Sequence, residues 1–335
     1  MLLIVVLIAA LASGCVPKVV SESIDIPSWE IAAPMPTPRG EAWAVAVNGK
    51  IYVIGGGDGA AVLGTVEEYD IATDTWTNCG GGCAPKTTPS VQLVVGALGG
   101  KIYAFGGFTV GDGSAATAAV EVFDPAANSW INTCNGDPCD DMIAVSQEAQ
   151  SSVVLLGSKL WLFGGGNLSY QADVTSFDPT AGSGNMWTPC NSPCQDLPYP
   201  VSRMTSIAIG NKVYVLGGFS GGLIGTLSRY DVPTTTWDSC GGGGCASAPV
   251  VGMDAALGYS NGVLYAFGTT DNNPSSIGMA YSIGANAWRS CGGTCSPIPT
   301  PVGGYAWVQV GNRVHLIGGS DGISTIGLHQ VAVLP

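Results

Sequence analysis

The stretch "GKIYVIGG" at residues 49–56 is a short run of apolar residues interrupted by tyrosine, bounded by glycine at both ends. Five further stretches share its form. "GKIYAFGG" ends at Gly107, "SKLWLFGG" at Gly165, "NKVYVLGG" at Gly218, "GVLYAFGT" at Thr269 and "NRVHLIGG" at Gly319. The spacings are 51, 58, 53, 51 and 50 residues. Short β-branched and aromatic runs bounded by glycine predict strands. Recurrence at a fixed period predicts a repeat architecture.

Each unit continues in the same order. A second strand ends in an aromatic and an aspartate in "TVEEYD", "AVEVFD", "VTSFD" and "LSRYD", and is degraded to "GMAYS" in the fifth unit. A turn and a tryptophan follow, at Trp76, Trp130, Trp187, Trp237 and Trp288. A Gly-Gly strand, a Tyr/Phe-Asp strand and then tryptophan, at a period of about 50 residues, resembles the kelch repeat. The resemblance implies four-stranded blades of a β-propeller over nearly the whole chain. The sixth unit ends before any tryptophan strand, whereas Trp29 stands near the start with no Gly-Gly ahead of it. The expected fold is therefore all-β: a six-bladed propeller over residues 24–335, in which residues 24–31 supply the outer strand of the last blade. Closure of this kind removes exposed sheet edges. The tryptophans are expected to plug the gaps between adjacent sheets.

Composition agrees. Only 10% of the residues are charged and 50 are glycine, which disfavours long solvated helices. A net charge of −13 argues against nucleic acid or an anionic membrane as a partner of the bulk surface.

Ten of the 11 cysteines form close pairs: Cys79 with Cys83, Cys134 with Cys139, Cys190 with Cys194, Cys240 with Cys245, and Cys291 with Cys295. Each pair follows a repeat tryptophan. A zinc ion needs four ligands, and pairs one blade apart cannot share one, so no metal is expected. The spacing and the all-β context do not suit a thioredoxin-like centre. Tight loops that place two cysteines at bonding separation suit five local disulfides, one in each loop from a blade to the next.

The eleventh cysteine is Cys15. Residues 2–12 are an unbroken apolar run, too short to span a bilayer and suited to a signal peptide. Small residues then precede Cys15, which resembles a prokaryotic lipoprotein signal. The implied organisation is a signal peptide over 1–14, lipidation at Cys15, a tether over 15–23 and then the propeller. The tether would reach at most about 30 Å. The expected location is the cell envelope or extracellular surface, where disulfides persist.

Aligning the inner strands sets Glu41, Gln92, Gln150, Arg203, Asp254 and Gly304 in one column. Five polar residues on strands that line a channel are candidates for a ligand site. Asp58, Asn167, Asp271 and Asp321 follow the glycine pairs and suit either turn initiation or cation binding. There is no nucleophile elbow, P-loop or dinucleotide fingerprint, and no cofactor is implied. Copper radical oxidases of kelch type need histidine and tyrosine ligands, and this chain has two histidines. The expected function is a membrane-anchored binding module for protein or glycan acting through its loop face. A sugar-processing enzyme such as a sialic-acid-type mutarotase is the alternative, and a structural envelope role is the third.

Overall fold

The computed structural model describes residues 25–335 except 78, 80, 132, 143–148, 167–168, 191–193, 239, 241–243, 251, 269–272 and 291–296. Cys15 and the expected signal and tether segments lie outside the described residues. Six four-stranded antiparallel sheets form the blades of a propeller, and no helix occurs among the described residues. Blade one runs Trp43–Val47, Lys50–Ile54, Val66–Asp70 and Thr75–Thr77 from the axis outward. Blades two to five repeat this order. A short ribbon of Thr133–Cys134 and Asp137–Pro138 adds to the connection after blade two.

Blade six closes the ring as expected. Its inner three strands are Ala306–Val310, Arg313–Ile317 and His329–Val333, and its outer strand is Ser28–Ile31. The register runs from Ser28 opposite Val333 to Ile31 opposite Gln330. Both ends of the chain thus meet in one sheet.

The glycine pairs are required by backbone geometry at the heads of their loops. Gly55 and Gly56 adopt φ of 69° and 95°, and a Cβ on Gly55 would lie 2.5 Å from the Ser90 carbonyl of the next connection. Left-handed backbone and close approach together demand glycine there.

The aromatic of each Tyr/Phe-Asp strand lies directly across from the tryptophan: Tyr69 from Trp76, Phe123 from Trp130, Phe177 from Trp187, Tyr230 from Trp237, Tyr281 from Trp288. Ring centroids are 4.8–5.3 Å apart in these pairs. Cross-strand aromatic pairs are a stabilising unit of antiparallel sheet. In blade six the place is taken by Ala332, and Trp29 packs edge-on against Phe267 of blade five at 5.2 Å.

Four of the five expected disulfides are present among the described residues. They join Cys79–Cys83, Cys134–Cys139, Cys190–Cys194 and Cys240–Cys245, with Cα atoms 4.9–5.0 Å apart. The fifth, expected between Cys291 and Cys295, is not among them, because Cys291 and Cys295 both lie outside the described residues.

The tryptophans are more than apolar plugs. Trp130 Nε1 donates to the Ala84 carbonyl at 2.9 Å, Trp187 to Asp140 at 3.1 Å, Trp237 to Gln195 at 3.2 Å and Trp288 to Ala246 at 2.7 Å. Each acceptor is the residue immediately after the second cysteine of the preceding junction. Trp76 makes the same bond to Ala33 of the N-terminal segment at 2.7 Å, where no cysteine pair stands.

A second inter-element link lies inside the blades. Buried Arg39 pairs with buried Glu67 and also donates to the carbonyls of Thr37, Val53 and Gly55. Glu67 accepts in return from the Thr37 amide and hydroxyl at 3.0 and 2.8 Å. Blade two repeats the device with Lys86, Glu121 and Thr88, and blade six uses neutral Gln330 on Thr300 at 2.9 and 3.0 Å. In each case the connection entering a blade is latched to the second residue of that blade's third strand.

Both histidines sit at the closing seam. His315 Nδ1 and His329 Nε2 are 2.8 Å apart, and His329 Nδ1 faces the Ala33 carbonyl at 3.3 Å. A carbonyl only accepts, so His329 Nδ1 carries hydrogen and His329 Nε2 accepts from His315 Nδ1. That leaves His315 Nε2 as a buried lone pair with no partner. Burial pushes His315 down to about 4, with Arg313 adding to the effect. Burial, and then repulsion from His315, pushes His329 down to about 3.

Candidate functional site

The inner strands all begin at one end of the ring, and the residue two positions before each strand's first residue projects at the axis. Glu41, Gln92, Gln150, Arg203, Asp254 and Gly304 all adopt left-handed backbone, with φ between 53° and 63°. In this conformation five of the six amides reach the carbonyl of the preceding blade's ring residue. Glu41 donates to Gly304 at 2.7 Å, Gln92 to Glu41 at 2.9 Å, Gln150 to Gln92 at 3.0 Å, Arg203 to Gln150 at 2.9 Å and Asp254 to Arg203 at 3.0 Å. The column of polar residues in the sequence is therefore a hydrogen-bonded girdle around the channel.

The side chains divide the girdle into two arcs. Gln150 donates to Gln92, and Gln92 donates to Glu41 Oε1 at 2.9 Å. Arg203 is committed to Asp254, its Nε 2.8 Å from Oδ2. Gly304 leaves the sixth position without a side chain. All five candidates named from sequence are thus brought together, joined through backbone but with side chains in two separately bonded sets.

Below the girdle the channel narrows to a cavity of about 60 Å³, whose walls include Trp43, Trp307, Thr205 and Met204. That is room for a few waters. The channel then widens into apolar space lined by Val154, Leu155, Val308 and Trp307. Ser152 Oγ and Ser206 Oγ meet across blades three and four at 2.6 Å. Trp43 and Trp307 are channel residues that sequence reading missed. Their columns hold valine, serine, threonine, alanine or leucine in other blades, so the repeat gives no signal for them.

Above the girdle, on the end where the Gly-Gly loops and the blade connections emerge, is a cup of about 400 Å³. Glu41 and Gly304 line both the cup and the cavity beneath it. The candidates after the glycine pairs behave as turn residues. Asp58 accepts from the amides of Ala60 and Ala61, and Asp321 from Ile323 and Ser324, at 2.8–2.9 Å. These amide bonds hold both carboxyls below the usual aspartate range. Asn167 and Asp271 lie outside the described residues. Among the described residues no group of three or more His, Cys, Asp or Glu could hold a metal.

Comparison with known proteins follows the architecture. Residues 92–319 match the KLHDC2/KLHL20/DRC7 Kelch-repeats domain family, and residues 38–81 match the Kelch motif. The chain belongs to the kelch-repeat family.

Among curated relatives, Kelch-like protein 25 of Homo sapiens is 28% identical over 216 residues, covering 62% of this chain and 34% of that protein. Beta-scruin of Limulus polyphemus is 24% identical over 218 residues, covering 63% of this chain and 22% of that protein. The matched region thus spans about a third or less of these kelch relatives. A solved structure described as "Structure of YjhT" superimposes with a TM-score of 0.70 at 16% identity, over 90% of this chain and 96% of that one. At that identity the likeness shows the fold alone.

The loop end of this kelch propeller carries three of the six exposed large apolar side chains among the described residues, the others being Ile26, Ile31 and Leu155 outside the Gly-Gly loops. Ile323 is 94% exposed, Val110 41% and Tyr170 39%, each in a different Gly-Gly loop. Scattered singly they would mean little, but three loop tips sharing one end of a rigid ring form a surface suited to recognition.

Proposed function

We propose that this chain is an exported, lipid-anchored kelch propeller that binds a macromolecular ligand, protein or glycan, through its loop end. The observation that carries the binding reading is the juxtaposition of the cup with the exposed tips of Ile323, Val110 and Tyr170 on that end. The rigid ring fixes the loops relative to one another, so little ordering cost attends binding. Kelch-like relatives make a protein ligand the leading case. Export and anchoring rest on the apolar run, Cys15 and the disulfide pairs. In cells, Cys15→Ala should release the protein from the membrane fraction into the soluble exported fraction. Retention of the variant in the membrane would count against the anchor.

A sugar-processing enzyme has less support. Small-molecule sites are about 300–1,000 Å³, whereas the cavity at the girdle is about 60 Å³. Arg203, the one cation there, already serves Asp254. A glycan array on the purified propeller, with sugar-anomer exchange followed by NMR, separates the readings. Binding without exchange fits the proposal. Exchange that is abolished by Arg203→Ala would replace it with the enzymatic reading.

A further inference from the structure

The two ends of the ring differ in where their cations stand. The six Gly-Gly loops, at residues 57–64, 108–119, 166–173, 219–226, 269–277 and 320–328, contain no lysine or arginine. The blade connections at the same end contribute Arg39 and Lys86, and both are buried against Glu67 and Glu121. The remaining cation there is Arg203, held by Asp254. The opposite end carries Lys50, Lys101, Lys159, Lys212 and Arg313, each at the start of a blade's second strand and each paired with a carboxylate, so the ends differ in where cations are exposed rather than in simple net charge.

The cup lies at the centre of the loop end, whose cations Arg39, Lys86 and Arg203 are each paired with a carboxylate. Its walls are mostly backbone and small side chains, among them Gly57, Ala60, Ala61, Val62 and Val91. No aromatic ring lines it, so it offers a sugar no stacking platform. Its floor is Glu41. One oxygen of that carboxylate accepts from Gln92, and among the described residues no lysine or arginine pairs with Glu41. Gly304 beside it leaves its flank open. A Cβ there would stand 3.6 Å from Glu41 Cγ, in ordinary contact. A half-buried carboxylate facing a small-walled cup, on a face whose cations are already paired, is complementary to a single positive charge on a slim stem.

We propose that the cup receives a lysine or arginine side chain of a protein partner, whose charge meets Glu41 while its flanking apolar residues rest on Ile323 and Val110. This rests on the loop-end reading and specifies its ligand. The stem of such a side chain packs against the cup wall, and the charged head reaches the floor. The uniformly acidic surround steers a basic partner to this end, and the effect weakens with salt.

The test is selection of random extended peptides on the purified full propeller, followed by affinity measurements on three variants. Glu41→Gln removes the charge and keeps the backbone, because glutamine already occupies this position at Gln92 and Gln150 with φ of 53° and 60°. Gly304→Gln fills the open flank in the same conformation. Ile323→Asp disrupts the loop end away from the floor. The proposal expects selected peptides enriched in lysine or arginine, at least tenfold weaker binding to Glu41→Gln and Gly304→Gln, and affinity that falls as salt rises. Peptides lost on Ile323→Asp but lacking basic residues, or bound equally by Glu41→Gln, overturn this inference and leave the loop-end reading standing. Peptides unaffected by all three variants, or none selected, overturn both.

Discussion

Trp130 reaches back to its neighbour through one bond, from its indole Nε1 to the carbonyl of Ala84 at 2.9 Å. Ala84 follows Cys83, which is joined to Cys79. The disulfide fixes a loop of glycines so that one carbonyl faces the next blade's tryptophan. The same relation recurs at three further junctions, which gives the cysteine pairs an architectural role between blades as well as within a loop.

Removing the Cys79–Cys83 bond with a double alanine substitution should therefore cost stability and also loosen Trp130. A loop this short contributes about 2 kcal/mol in the chain-entropy model. Chemical denaturation reads the first effect. Near-ultraviolet circular dichroism reads the second, as a weaker tryptophan signal at unchanged strand content. Lost stability with an unaltered tryptophan signal would show that the loop holds its carbonyl without the disulfide.

The latch at Glu67 makes a larger claim. Glu67→Ala leaves Arg39 buried without its carboxylate, and breaking a buried pair costs about 3–5 kcal/mol. Glu67→Gln keeps bonds to Thr37 of the kind Gln330 makes to Thr300 in blade six, but it too leaves the Arg39 charge unanswered, so it should recover only part of that loss. Equal losses for alanine and glutamine would mean that the charge, and not the hydrogen-bonded latch, matters.

The histidine seam predicts acid sensitivity. Any added proton ends on His315 Nε2, which is buried and has no acceptor. Both rings are depressed relative to unfolded histidine, so the unfolded chain binds the protons first. Stability is full above pH ~6.5 and falls as pH drops toward the folded values of about 4 and about 3. Facing charges do not offset this. Arg313, paired with Glu30, opposes protonation of His315, and Asp74 already accepts from Ala33 and Tyr69. Between pH 6.5 and 5 the loss should be about 3 kcal/mol for the two rings, and His329→Phe should remove roughly half of it. A variant that keeps the wild-type slope would place the titrating groups elsewhere.

Ring closure gives a fourth expectation. Deleting residues 24–31 removes the strand paired with His329–Val333 and uncovers Phe267. The truncated chain should unfold at clearly lower temperature, with a loss of roughly 3 kcal/mol or more. An unchanged transition would contradict closure by this strand.

The sequence made blade number, closure and the girdle legible because each recurs in register. Glu41 and Arg203 differ chemically, yet one aligned column marks both. The cysteine pairs were visible as staples, but their link to tryptophan was not, since the acceptors are backbone carbonyls of Ala84, Asp140, Gln195 and Ala246 and leave no side-chain signature. The latch was obscured because Arg39–Glu67, Lys86–Glu121 and Gln330 with Thr300 meet one geometric need with three chemistries. Trp43 and Trp307 stand in columns that otherwise hold no aromatic residue, so only the folded ring reveals them at the channel waist. The difference in cation placement between the ends required topology. Lysines at the start of second strands and aspartates after glycine pairs separate only when alternate hairpins are assigned to opposite ends.

The most direct test of the central claim, that the loop end is the binding end, sets one face against the other. Affinity for a selected ligand is measured on the wild-type propeller, on a Val110→Asp/Ile323→Asp variant, and on a Lys101→Gln/Lys159→Gln variant of the opposite end. The account predicts binding at least tenfold weaker for the first variant and unchanged for the second. Binding lost in the second and retained in the first would contradict it.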